Sequence, residues 1–351
     1  MSLFQKIGIG ITSVLVVIAI GTVIYARFRR PAPPEVTEPG LATPAPEPAA
    51  LPYIAGTFAE LTASADGKTL GYLDTATFAF VRYDLASNTP TQSSVKTVPD
   101  QIVWSDDLGK VLVKTTNLQS ARTENPDFVA DRPENAIVWS VFDLTSGERQ
   151  LLPDGITQAV WLGSEVVGTS VSDGVTRFVS IASSTQKETK IAEIKEALLE
   201  WKAAPGGAMI VAWTRSEQAT IYLVDVAKKQ VAQVKGSGSI KDFTISPDGA
   251  LALFNAKSGP EQRLFKIDLV TRTITKSEQK IDLSLAAWLA AGRIGLVSGD
   301  GVVAYETQSD ALTQTDLGIT TKETIRQVVA AGGELYVLTD SGIFKPELST
   351  Q

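Results

Sequence analysis

The sequence predicts an all-β fold, a seven-bladed β-propeller preceded by an N-terminal transmembrane helix, and three observations carry this. Glycine-centred turns at Gly67, Gly109, Gly163, Gly207, Gly249, Gly292 and Gly333 stand 42, 54, 44, 42, 43 and 41 residues apart. A period of roughly 40 to 45 residues built from short alternating strands marks a propeller blade, because one four-stranded sheet cannot cover its own faces and has to stack on neighbours. Each repeat also keeps one internal order. An apolar strand ending in a bulky residue (Trp104, Trp161, Trp201, Phe243, Trp288) leads to the glycine turn, an alternating strand follows, and a third strand closes on an acidic turn such as Asp84, Asp143, Asp225 or Asp268. Upstream of all this, residues 7–26 form a run of 20 without a charge.

Taken in chain order, residues 1–30 read as a membrane anchor. At about 1.5 Å per residue, the 7–26 run matches the roughly 30 Å hydrocarbon layer of a bilayer. It exceeds the apolar core of a signal peptide, and Arg27 directly after Ala26 makes a poor cleavage site. Residues 31–50 hold seven prolines and few large apolar side chains, a tether that can reach about 60 Å in polyproline II geometry. Arg27, Arg29 and Arg30 after the span favour a cytoplasmic domain by the positive-inside count. Large domains translocate largely regardless of charge, however, and a stiff spacer suits an envelope that has to be crossed. The expectation is a single-pass membrane protein with its propeller on the extracytoplasmic side.

The propeller itself occupies 51–351, about 43 residues per blade. Residues 190–201 place Ile191, Ile194, Leu198 and Trp201 on one helical face, but the blade phase predicts an outer strand, a turn and the next inner strand there. The seventh repeat supplies only three strands. Residues 51–55 have no blade of their own and are predicted to pair as its missing outer strand, which closes the ring and removes an open edge. That polarity brings the tether in from the face opposite the long loops.

Ile245-Ser246-Pro247-Asp248-Gly249 and, in weaker form, Ala63-Ser64-Ala65-Asp66-Gly67 resemble the Ser-Pro-Asp-Gly repeat of TolB-like propellers, relatives of the WD-repeat proteins. The match is close in one blade and fair in a second; the other five share only the layout. In that family the motif is a structural turn, so the resemblance implies a fold and no catalytic residue. Members commonly serve as envelope scaffolds and protein-binding platforms, which sets the functional expectation.

Composition narrows the chemistry. With no His and no Cys, a histidine base, a cysteine nucleophile and the usual nitrogen or sulfur metal ligands are excluded. Gly67-Lys68-Thr69 has the ending of a phosphate-binding loop, but Thr62 stands where the first glycine belongs and a strand follows in place of a helix. Asp74, Asp173, Asp300 and Asp340 recur between second and third strands, where hairpin turn chemistry explains them, and no Asp-x-Asp-x-Asp-Gly spacing points to calcium. No catalytic, cofactor-binding or metal residue is assigned, and no cofactor is expected. The chain is at −7 overall; with its first 30 residues at +4 and the tether at −3, the propeller carries −8, which disfavours nucleic acid as a partner.

The remaining clue is an insertion. The 54-residue interval exceeds its neighbours by about a dozen, the excess lying in a polar loop over 115–135 that contains Arg122, Phe128 and Arg132. Long loops on a rigid scaffold are where binding resides. Loops 214–218 and 255–262 are expected on the same face, adding Arg215 and Lys257. The expected function is a membrane-anchored scaffold that binds an envelope protein or glycan. The alternatives are a carboxylate-dependent polysaccharide-active enzyme and a purely structural envelope protein.

Overall fold

A computed structural model describes residues 52–95, 99–116, 136–182, 185–236, 238–258, 261–298, 301–315 and 324–345. The span expected at 7–26, the tether, and Arg122, Phe128, Arg132 and Asp300 lie outside these residues. Every regular element among the described residues is a strand, and no helix there is long and apolar enough to cross a membrane.

The strands form seven four-stranded antiparallel sheets. Six are built from four consecutive strands; the seventh takes three from the end of the chain and one from its beginning. The first strands of the blades are Phe58–Ala63, Gln101–Trp104, Gln158–Leu162, Leu199–Ala203, Ser239–Ile245, Ala286–Ala290 and Gln327–Ala331, and they approach one another around the axis. Antiparallel alternation then fixes two faces. First-to-second and third-to-fourth connections lie on one, the turn face; second-to-third and blade-to-blade connections lie on the other, the loop face.

Packing explains why the sheets assemble as a ring. Seven apolar clusters stand between neighbouring blades, as where Trp213, Ile221 and Leu223 of blade 4 meet Phe243, Phe254 and Ile267 of blade 5. Each such side chain gains about 1.5–3 kcal/mol by leaving water, and no blade can bury both of its faces without two neighbours. Glycines admit the closest approaches: a Cβ on Gly71 would sit 3.1 Å from the Trp104 ring of the next blade. At the inner strands, Trp161 Nε1 donates to the Val103 carbonyl of the preceding blade at 2.9 Å, and Trp288 Nε1 to Thr244 Oγ1 at 2.9 Å.

The ring closes as the sequence predicts. Ile54–Ala55 pairs antiparallel with Gly342–Phe344, in the register Ile54↔Ile343 and Ala55↔Gly342. The seam between blades 7 and 1 is also held nearer the axis, where the Gln327 side chain accepts the Leu61 N–H at 2.9 Å and donates to the Leu61 carbonyl at 2.6 Å. On the turn face, a Cβ on Gly67 would lie 2.5 Å from the Gly332 nitrogen, so the two backbones touch. Tyr53 enters there, its ring 6.0 Å from those of both Tyr83 and Tyr336 and its hydroxyl donating to Asn88 at 2.6 Å.

The turn motif is one structure repeated. Ser64, Ser105 and Ser246 donate their hydroxyls to Asp66, Asp107 and Asp248 and accept the N–H five residues on, at 3.0, 2.9 and 2.9 Å. Bonds from Ser64, Ser105 and Ser246 are the largest influence holding the three aspartates below the usual carboxylate range. The left-handed residue after each Asp is Gly67 (φ 67), Leu108 (φ 56) or Gly249 (φ 68). In blade 2 the turn position therefore belongs to Leu108, not to Gly109; the strain of a left-handed leucine is offset by its complete burial, 0% exposed. Asp84, Asp143 and Asp268 cap the N–H groups two and three residues on, which is turn chemistry. Residues 190–201 follow the blade phase: an outer strand Glu188–Ile194, a turn, and the inner strand Leu199–Ala203.

Candidate functional site

A groove of about 1020 Å³ opens on the loop face between blades 4 and 5. Glu217 and Gln218, from the second-to-third loop of blade 4, form one wall, with Gly236, Gly238 and Ser239 of the connection to blade 5 beside them. The opposite wall is blade 5 itself. Lys257 and Glu261 flank the tip of its hairpin, Arg263 and Phe265 follow along the third strand, Glu261–Asp268, and Lys276 ends the outer strand, Thr273–Lys276. Period-two alternation places Glu261, Arg263 and Phe265 on one side of that strand.

Phe265 is the outermost of four parallel aromatic rings running through the interface. Trp213 stacks on Phe243 at 4.5 Å, Phe243 on Phe254 at 5.8 Å, and Phe254 on Phe265 at 5.4 Å, with interplanar angles of 16°, 9° and 14°. This fixed floor supports a charged rim. Arg263 is ion-paired with Glu261, whereas Lys257 and Lys276 have no ion pair among the described residues. The side chain of Glu217 shares the groove with them.

Of the residues expected to bind, the structure brings Lys257 to this groove and the 214–218 loop to its other wall through Glu217 and Gln218. Arg215 goes elsewhere. Its Nε pairs with Glu200 at 2.8 Å, and Trp213 Nε1 donates to the same carboxylate at 3.1 Å, so its guanidinium is held within blade 4. Glu261, Arg263, Phe265 and Lys276 were not singled out from the sequence, although a charged pair preceding an aromatic in strict alternation was a usable signal.

Carboxyls raised by burial, and the lysine lowered by it, lie outside the groove lining. Burial pushes the carboxyls of Glu60, Asp106 and Asp242 up and the Lys202 ammonium down; Lys202 Nζ donates to the Phe243 carbonyl at 2.6 Å. None of these three carboxyls lines the groove. Among the described residues, no group of three or more acidic side chains is placed to hold a metal ion. Asp74 caps the N–H groups of Ala76 and Thr77, and Asp340 faces Arg326 at 3.6 Å.

Eight large apolar side chains are exposed among the described residues; Tyr53, Val231, Val270 and Leu312 lie at turn-face ends, on blades 7, 4, 5 and 6. Phe78 (42% exposed), Ile137 (43%), Val171 (42%) and Leu198 (72%) all sit at loop-face ends, on blades 1, 2 and 3 and on the connection into blade 4. The loop face thus carries an apolar arc over blades 1–4 and a charged groove between blades 4 and 5.

No family model matches the chain, and no curated protein matches it in sequence. Solved structures do. The β-propeller domain of Cps50 (Swd1) from Myceliophthora thermophila superposes with a TM-score of 0.59 at 12% identity, covering 86% of this chain and 99% of that one. A chain of a mitotic checkpoint complex gives 0.58 at 10% identity, covering 92% and 99%. The propeller domain of the trilobed protease from Pyrococcus furiosus, described as having an open velcro topology, gives 0.56 at 13%, covering 85% and 100%. Identities this low speak of fold alone, and in fold the chain is a seven-bladed β-propeller.

Proposed function

We propose that this protein is a non-enzymatic, membrane-anchored scaffold whose loop face binds a partner protein of the cell envelope. Residues 7–26 serve as the anchor and 31–50 as the tether, with the propeller on the extracytoplasmic side. The observation that supports it best is the run of exposed Phe78, Ile137, Val171 and Leu198 on the loop-face ends of consecutive blades. Exposed large apolar side chains on adjacent blades mark protein contacts more than glycan contacts, and of the two faces that carry them the loop face is the one opposite the entry of the chain at Pro52. The chain direction fits the tether: Tyr53 and Pro52 precede the closing strand on the turn face, so the loop face points away from the point of entry.

The test is capture of crosslinked partners from gently solubilised membranes with a matched pair of variants. Burying a leucine side chain contributes about 2 kcal/mol, so Leu198→Glu is expected to weaken capture about 30-fold. Val270→Glu, at an equally exposed side chain (76%) on the turn face, is expected to leave it unchanged. Equal capture by both variants sinks the reading.

A further inference from the structure

Blade 5 leaves a strand edge open beside the groove. Its second and third strands, Leu251–Ser258 and Glu261–Asp268, pair along their full length, from Leu251↔Asp268 to Ser258↔Glu261. The outer strand pairs only with Phe265 to Asp268. One further bond, from the Ser277 N–H to the Leu264 carbonyl at 3.0 Å, ends the cover. In an antiparallel ladder, alternate residues turn their N–H and C=O toward the same neighbour. Leu264 offers its carbonyl outward, so Gln262, two residues earlier, presents both its N–H and its C=O outward as well. Among the described residues no strand covers Gln262, and its neighbours Glu261 and Arg263 both line the groove.

The charge around this edge selects an occupant. Arg263 is held by Glu261, which leaves two groove-lining lysines without an ion pair among the described residues: Lys257, opposite Gln262 in the ladder, and Lys276, opposite Phe265 and so on the other face of the sheet. We propose that the edge accepts an extended acidic segment of a partner protein as a short added strand. Its main chain bonds to Gln262 and its acidic side chains, carried on both faces of the added strand, meet Lys257 on one face and Lys276 on the other, strand addition supplying the register and the lysines the preference. The inference deepens the reading of the loop face as protein-binding and rests on it. The net acidity of the domain does not oppose it at contact range, because charges more than about 8 Å away are screened at physiological salt.

The experiment uses the full chain in detergent and a fluorescein-labelled octapeptide of the repeat Val-Val-Glu-Glu, which carries glutamates on both faces when extended. Anisotropy is expected to show saturable binding that falls at least tenfold in the double variant Lys257→Glu/Lys276→Glu. A peptide carrying lysine in place of glutamate is expected to bind at least tenfold more weakly. Of two peptides N-methylated on alternate amides, offset by one residue, one is expected to lose at least tenfold and the other to bind as before. Hydrogen exchange at the Gln262 amide is expected to slow at least tenfold when peptide is bound. Equal binding of both N-methylated peptides, with no protection at Gln262, reduces the contact to charge alone and overturns the proposal. Binding that appears only after proteolysis within 31–50 overturns it in favour of the chain's own tether as occupant. If the peptide does not bind while capture through Leu198 persists, strand addition is refuted and the broader reading of the loop face stands.

Discussion

Blades 3 and 5 carry hairpins of similar length and finish them in opposite ways. In blade 3 the second and third strands, Glu165–Ser172 and Val175–Ile181, are covered by an outer strand that pairs from Thr176↔Ile194 to Ile181↔Glu188. Its edge carries charge, with Glu193 accepting Arg177 at 3.0 Å and Lys190 at 2.8 Å, and charged edges discourage further pairing. In blade 5 the outer strand stops halfway. The cause lies just after Lys276, where the chain is caught by blade 6. The Ser277 hydroxyl donates to Asp310 at 2.7 Å, the Glu278 N–H at 3.0 Å, and the Gln279 side chain donates to the Asp310 carbonyl at 3.0 Å. Tyr305 and Lys266 complete the knot at 2.6 and 3.3 Å. How far a blade is covered thus depends on where the departing chain is captured, and strand propensity within the hairpin does not decide it.

The largest effect is expected where a blade loses its outer strand altogether. Deleting residues 51–55 removes the Ile54–Ala55 pairing and the packing of Tyr53 on Tyr83 and Tyr336, leaving blade 7 more open than blade 5. Lost apolar burial and ladder bonds together predict about 4 kcal/mol of destabilisation, a fall of roughly 10 °C in melting temperature. An unchanged melting curve shows that the inner clasp, Gln327 on Leu61, suffices to close the ring.

Asp310 comes next, because it creates the difference between the two blades. Asp310→Ala leaves the buried Tyr305 hydroxyl only the distant Ser277 hydroxyl, at 3.5 Å, and Lys266 without its carboxylate; the expected cost is about 3 kcal/mol. Asp310→Asn keeps a residue that tolerates the left-handed backbone (φ 56) but removes the charge. Burial opposes ionisation of Asp310, yet the hydrogen bonds it accepts from Tyr305, Ser277 and the Glu278 N–H, with the Lys266 charge, outweigh that and hold its pKa at about 2. A folded pKa below the unfolded value contributes stability that is present above about pH 4 and lost as pH falls toward 2. The shift corresponds to about 2 kcal/mol, so the gap between the Asn variant and the parent is expected to narrow across that window. A gap that stays constant from pH 6 to pH 2 denies the carboxylate its role.

Much of this architecture was legible in the chain, for local reasons. Ser-x-Asp-Gly turns and capping aspartates act within five residues, so the blade period survived into the sequence, and the three-strand final repeat exposed the need for residues 51–55. Leu108 was missed because a buried leucine can be held left-handed by packing that no local pattern displays. The short outer strand of blade 5 was illegible for a stronger reason: its end is dictated by Asp310, which lies in another blade. The groove shares that character. Shared loop topology was enough to find Lys257, whereas the diversion of Arg215 depended on Glu200 in the inner strand of its own blade.

The smallest expected effect separates stability from binding at the open edge. Lys257 and Lys276 project from rim positions and have no ion pair among the described residues. Surface substitutions away from packed or paired groups change stability by about 0.5 kcal/mol or less. Lys257→Glu/Lys276→Glu is therefore expected to melt within about 2 °C of the parent while losing peptide binding. In blade 3 the corresponding edge is already covered, so reversing Lys190 to Glu is expected to leave peptide binding untouched. A double variant that melts much earlier shows that the lysines support the hairpin itself. The open edge of blade 5 would then be maintained by charge, and the contrast with blade 3 would be one of stability.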